Sequence, residues 1–251
     1  AAFISTAPKA VIAFVLFRFV LAVFGNLEGG IPFQSTFLWL FVGVLTLTMT
    51  IGNLGALRQQ NYKRLLAFSG VAQAGFLLMP VAVLIAVGNT HTGALSGVLL
   101  FYITLYMLMG LASFTFGQFL ADRTDSFLIT DWQAKLRLPA FAAVMLVIIM
   151  VALIGLPPTA GFTGKLFVFL EVWEGYDEIT SSKLANPLLV LLIVGLINTV
   201  VGLVYYLRVS AQLLLKPGSE ALPIRLSLSE RLLMLVLVLP LLWLGILNLD
   251  A

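Results

Sequence analysis

The chain has 251 residues, of which 61% are hydrophobic and only 10% charged, and its formal net charge is +3. This composition excludes a soluble core and describes an integral membrane protein. With no cysteine and one histidine, His91, it also excludes a disulfide, a haem attachment and a thiolate or histidine metal cluster.

Seven apolar runs follow one another, at about 2–24, 36–57, 65–87, 94–120, 138–173, 187–214 and 230–248. Each approaches or exceeds the roughly 20 residues that a helix needs to cross a bilayer. No period-2 alternation appears, so a membrane barrel is excluded. Residue 1 is alanine and the first apolar run begins at once, without a charged leader. The expectation is a single all-α membrane domain over 1–251, truncated at its N-terminus from a longer protein.

The loops set the topology. The second holds Arg58, Lys63 and Arg64, and the fourth holds Arg123, Lys135 and Arg137. The sixth holds Lys216 and Arg225, flanked by Arg208 and Arg231, which puts ten of the fourteen Lys+Arg on one side. The odd loops carry Glu28, then His91, then Glu174, Asp177, Glu178 and Lys183. By the positive-inside rule the even loops are cytoplasmic (or matrix-like) and the C-terminus is outside. The basic residues thus report membrane topology rather than a nucleic-acid face.

Span one carries Ser5-Thr6-Ala7-Pro8-Lys9-Ala10. Helical rise places Lys9 about 12 Å into the run. Pro8 frees a backbone carbonyl one turn earlier, which Ser5 and Thr6 can help to satisfy. The alternative for Lys9 is a lysine that snorkels to the inner surface, and Arg18, near the outer end, reads as snorkelling. Span three opens behind the basic loop and carries Ser69 and, one turn later on the same face, Gln73; both should point to protein or water rather than lipid. Span four is rich in small residues, among them Gly110 and Gly117, as close helix packing requires.

Span five is different. Its apolar run spans 35 residues from Pro139 to Trp173, which would reach roughly 52 Å as one helix, against a hydrocarbon core of about 30 Å. Pro157 and Pro158 remove two backbone donors, and Gly155, Gly161 and Gly164 weaken the helix further. The expectation is a helix, a short extended break, and a half-helix carrying Lys165. An ionisable group beside such a break is a functional-site hypothesis, weighed against a kink whose lysine snorkels. Span six contains Asn198 and ends in Tyr205-Tyr206-Leu207-Arg208, read as an aromatic and basic anchor at the inner interface. Span seven, with Pro240 and Trp243, reads as a lipid-facing helix.

Two lysines in apolar spans need a physical account, since a lysine at a helix centre costs roughly 2.5–3.5 kcal/mol on insertion scales. Removing an ammonium from water disfavours its charged form, so such a group can take up and release protons where an exposed lysine stays charged. Linked by water and polar side chains, two such groups repel when both are charged. That arrangement is a device for moving protons or other cations.

Four segments carry a resemblance: S-T-A-P-K-A (5–10), G-N-L-x-A-L-x-Q-x-N-x-K-R-L-L-A-x-S (52–69), G-L-P-P-x-A-G-F-x-G-K (155–165) and Y-Y-L-R-V (205–209). In this order and spacing they resemble the antiporter-like membrane subunits of respiratory complex I, the last two looking most like the subunit N branch. The resemblance covers essentially the whole chain and implies helices eight to fourteen of a fourteen-helix subunit. It implies proton translocation coupled to quinone reduction, with no catalytic residue, cofactor or metal in this chain. NADH, FMN, iron–sulfur clusters and quinone would belong to partner subunits, and the neighbours would be the lipid bilayer and other membrane subunits in a bacterial inner membrane. By motif position, Lys9 is similar to the family's lysine on the central hydrophilic axis, Lys165 to that of the broken helix on the exit side, and Lys63 to a weaker intermediate relay. Pro8, Ser69, Gln73, Pro157, Pro158, Gly161 and Gly164 would support them. Gln73 departs from the pattern, standing where the family often has histidine. Multisubunit cation/proton antiporters and membrane-bound hydrogenases share the lysine pattern and form the alternative.

Overall fold

The computed structural model describes residues 2–25, 33–180, 182–215, 218 and 221–247, with side chains described from Thr6 to Ile246 within those ranges. The expectations for Glu28, Lys216 and the Ser5 side chain fall outside them.

Ten helices and one minimal strand pair make up the described residues. In chain order α1 is Ala2–Phe24, α2 Gln34–Leu57, α3 Tyr62–Leu77, α4 Met79–Val87 and α5 Thr92–Ala121. Then come α6 Ile129–Lys135, β1 Leu136–Arg137, α7 Ala140–Ile154, α8 Ala160–Glu178, α9 Ala185–Leu215, β2 Leu222–Pro223 and α10 Leu228–Leu247. Six helical stretches are long and apolar enough to cross a membrane, with α3 and α4 counted as one. The broken pair α7–α8 takes the place of the fifth span. Outward faces are apolar, as lipid requires: Val11, Ile12, Leu40, Val44, Val200 and Val236 are all at least 60% exposed.

The structure adds two local details and corrects one reading. The first helix runs on through Pro8, which stands inside it and leaves the carbonyl one turn earlier without its usual donor. Span three is not straight: it bends at Leu78, where α3 ends and Pro80 enters the first turn of α4. Pro80 has no amide hydrogen to continue the ladder, and the backbone tightens, with Val81 N donating to Leu78 O at 3.1 Å. Finally, Tyr205 and Tyr206 are not interface anchors, since each is 1% exposed. Span six is apolar nearly all round, so its sequence does not reveal which face points inward.

The basic loops gather at one end of the bundle. Tyr62 N donates to Phe127 O, Ile129 N to Gln60 O, and Gly218 N to Gln133 O. β1 pairs in parallel with β2 in register Leu136↔Leu222. Arg123 spans the fourth and sixth loops with a 2.8 Å ion pair to Glu230. Arg208 reaches back from α9 to donate to Leu57 O (2.7 Å) and Gln59 O (2.8 Å), capping the carbonyl end of α2. At the opposite end His91 pairs with Glu178 at 2.9 Å. The even loops therefore share one end in space, as the charge pattern requires.

Buried polar side chains clamp α2 to α9. Asn53 Nδ2 donates to Asn198 Oδ1 (2.9 Å) and O (3.0 Å), Asn198 Nδ2 donates to Thr50 Oγ1 (3.2 Å), and Tyr205 donates to Asn53 Oδ1 (3.0 Å). Removing one amide leaves the other's donor without its side-chain acceptor. Asn198→Ala should therefore cost about 1–2 kcal/mol, the scale of an interhelical polar contact in a membrane. A thermal melt of the purified full-length protein tests this, and an unchanged midpoint would refute it.

Candidate functional site

The break in span five builds the centre of the site. α7 ends at Ile154, and Gly155 turns left-handed at φ +84°. Only glycine suits this position twice over: the conformation is one L side chains rarely adopt, and a Cβ would lie 2.8 Å from Lys165 Cδ. Leu156, Pro157 and Pro158 carry the chain across, the Pro157–Pro158 bond being cis, and α8 restarts at Ala160. Both prolines face outward, while Thr159 is buried and closes the turn by donating to Leu156 O at 2.7 Å.

A helix leaves its last four carbonyls without intrahelical donors. Here three of the four, on Val151, Leu153 and Ile154, find donors beyond the helix. Val151 O accepts from Gly155 N and Leu156 N. Leu153 O accepts from Gln73 Nε2 at 3.2 Å and from Lys165 Nζ at 3.4 Å, and Ile154 O accepts from Lys165 Nζ at 2.7 Å. The ammonium thus caps the helix it follows, where the negative end of the macrodipole favours a cation. It is 7% exposed, and the Phe76 ring lies 5.0 Å below it. Ion pairs among the described residues are His91–Glu178 and Arg123–Glu230, so backbone carbonyls rather than a carboxylate hold Lys165. The side chain is thus turned into the bundle.

Close approach makes the arrangement possible. A Cβ on Gly161 would lie 1.8 Å from Ala152 O, so α8 crosses the end of α7 at backbone contact. Gly164 abuts Leu105 and Tyr102 on α5. On the other side, Gly245 of α10 lies against Pro158 O and Ala160 N. The last helix is therefore not purely lipid-facing, because one of its faces backs the break.

Lys9 forms a second group. Its Nζ donates to the Tyr106 hydroxyl at 3.3 Å and lies 2.7 Å from where a Gly70 Cβ would be, resting on the backbone of α3. Between the two lysines stand Ser69 and Gln73, 3% and 4% exposed, on the inner face of α3. Tyr102 donates to Gln73 Oε1 at 2.7 Å. Gln73 also joins the two apolar halves of the bundle, since Tyr102 belongs to one cluster and Leu153 to the other.

Of the expected residues, the structure brings Lys9, Ser69, Gln73, Gly161, Gly164 and Lys165 to one interior region. Pro8 is exposed on α1 and lines nothing there. Lys63 is also elsewhere: its ammonium sits 4.1 Å from the Phe127 ring centroid, beside a cavity of about 220 Å³ bordered by Tyr62, Phe114 and Gln118 at the basic-loop end. The sequence reading missed Tyr102 and Tyr106, and read Tyr206 as an interface anchor. A signal existed for the first two, a pair of tyrosines one turn apart in an apolar span, each needing a partner for its hydroxyl.

The family described as NADH:quinone oxidoreductase/Mrp antiporter, TM matches residues 1–184. NADH-quinone oxidoreductase subunit N of Anaeromyxobacter sp. (strain Fw109-5) is 34% identical over 246 residues, covering 93% of this chain and 44% of its own length. The chain thus spans less than half the length of that relative. Among solved structures, a chain of respiratory complex I from Thermus thermophilus with bound aureothin is 26% identical and superposes with a TM-score of 0.58 over 83% of this chain and 43% of its own. A chain of the archaeal membrane-bound sulfane sulfur reductase shares the fold, with a TM-score of 0.73 over 99% of this chain and 46% of its own at 19% identity.

Proposed function

Because the chain belongs to the NADH:quinone oxidoreductase/Mrp antiporter, TM family, we propose that it is the later half of an antiporter-like subunit N. Its role is to move protons across the membrane of an NADH:quinone oxidoreductase. NADH, FMN, iron–sulfur clusters and quinone belong to partner subunits, and this chain performs no redox step. The host membrane is the bacterial inner membrane, with the even loops cytoplasmic.

One observation carries the reading: Lys165 is buried, and carbonyls at the end of its own broken helix hold its ammonium. A buried ammonium paired with a carboxylate would be fixed in charge, whereas one held by neutral carbonyls can give up its proton without stranding an anion. The Leu153 carbonyl is shared with Gln73, which leads through Tyr102 back toward the Lys9–Tyr106 pair. A proton arriving at Lys9 raises the energy of one already on Lys165, since like charges repel strongly where water is scarce. Lys9 is assigned to the central axis and Lys165 to the release side. Lys63, beside a separate cavity, has an entrance role rather than a step between them.

Lys9→Met tests the central step. Methionine keeps most of the unbranched side chain, one atom shorter, but cannot bind a proton. In the assembled complex carrying full-length protein, NADH-driven proton pumping should fall roughly tenfold or more, the scale of losing one positioned proton-transfer group. Pumping at the unsubstituted rate with the complex intact would remove Lys9 from the path.

A further inference from the structure

Arg123, Lys135 and Arg225 line one open cavity of about 730 Å³ where the fourth and sixth loops meet. Neither of the buried lysines borders it. Backbone joins the two loops there: β1 pairs with β2, and Ile224 N donates to Arg137 O at 3.1 Å. This brings Lys135, at the end of α6, to the segment that leads from β2 into α10.

The three cations are not equivalent. Arg123 Nη2 donates to both carboxylate oxygens of Glu230 and, at 3.0 Å, to the backbone carbonyl of Arg225. Arg123 therefore fixes the wall of the groove, and Glu230 neutralises it. Lys135 and Arg225 are both exposed, and neither has a carboxylate partner among the described residues. Two uncompensated cations beside a cavity of ligand size attract an anion.

The rest of the lining selects the kind of anion. Leu136, Leu222 and Pro223 supply an apolar wall. Leu222 is 72% exposed, and Leu228, where α10 begins, is 73% exposed. Beyond Leu228 the outward face of α10 stays apolar through Val236 and Leu239. Inorganic phosphate would leave both leucines in water. A lipid whose phosphate meets the cations covers them with its acyl chains. Cations set beside apolar side chains at the end of a span are what an anionic headgroup meets.

We propose that this groove binds one anionic phospholipid of the leaflet at the even-loop end. Lys135 and Arg225 hold its phosphate, and its acyl chains run along Leu222 and Leu228 onto α10. The lipid thereby bridges the fourth and sixth loops from outside, as Arg123 and Glu230 bridge them from within.

The test is a titration of purified full-length protein in detergent, with bound lipid counted by native mass spectrometry. The probes are phosphatidylglycerol, phosphatidylethanolamine and inorganic phosphate. Unsubstituted protein should take up one phosphatidylglycerol in preference to phosphatidylethanolamine. Lys135→Gln/Arg225→Gln should weaken that binding roughly thirtyfold, about 1 kcal/mol for each cation near an anionic surface. Both residues are exposed and the Arg123–Glu230 pair is untouched, so the fold should survive. If the double variant is not recovered, each single substitution decides, at roughly fivefold. Equal binding of the two lipids, or unchanged phosphatidylglycerol binding in the variant, overturns the site. Displacement of the lipid by an equal concentration of inorganic phosphate overturns the lipid assignment in favour of a free anion. A double variant that keeps its lipid but loses neighbouring subunits from the assembled complex overturns it in favour of an acidic protein.

Discussion

Lys165→Ala in the full-length protein is expected to reduce NADH-driven proton pumping to less than about a tenth of its normal rate while the complex still assembles. The assembly part follows from two opposing magnitudes. Truncation leaves the Ile154 carbonyl without its donor, while Leu153 O keeps Gln73, at about 1–3 kcal/mol for a buried group. It also removes a cation whose presence in the membrane costs roughly 2.5–3.5 kcal/mol. The two nearly cancel, so stability is not what the variant tests. Lys165→Arg sharpens the result. Arginine can offer the same carbonyls a positive charge but does not release its proton at any working pH. A purely structural cap at the end of α7 predicts that arginine restores pumping, whereas the relay predicts that it does not. Pumping measured in membrane vesicles, with the amount of complex checked alongside, separates the two.

The second large effect is expected at Gly161. A methyl group there would sit 1.8 Å from the Ala152 carbonyl oxygen, inside any permitted contact, and the obstacle is backbone that no rotamer change can move. Gly161→Ala must push α8 away from the end of α7, at about 3 kcal/mol or more, the upper end of overpacking costs. The displaced helix carries Lys165 away from Leu153 and Ile154, so any complex that does assemble should also pump poorly. The amount of intact complex recovered from membranes is the measurement, and normal recovery with normal pumping would show that the crossing is looser than this geometry. Gly43, whose added Cβ would meet nothing within 4 Å, is the matched control: Gly43→Ala should assemble normally.

Much of this architecture follows from the sequence alone because the features that encode it are local. A largely apolar run of 35 residues interrupted by Pro157 and Pro158 cannot be one straight span, whatever its neighbours, and the position of Lys165 just after the break follows at once. The basic residues of the even loops fall at one end because charge resists burial in lipid residue by residue. Ser69 and Gln73 share a face through helical period alone.

The tertiary structure decided what those groups touch. Nothing in the sequence around Lys165 indicates that the ends of α7 hold its ammonium, since the left-handed turn at Gly155 and the backbone crossing at Gly161 set that geometry. Lys63, alike in charge but set in a basic loop, is turned toward Phe127 instead. Tyr205 and Tyr206, adjacent in the chain and both buried, do not do the same thing: Tyr205 donates to Asn53 across to α2, and Tyr206 lies beside Ser69 of α3. The physical reason is common to all three. A membrane helix that is apolar on every side carries no amphipathic signal of its rotation, so packing against helices distant in sequence determines which of its few polar groups meet.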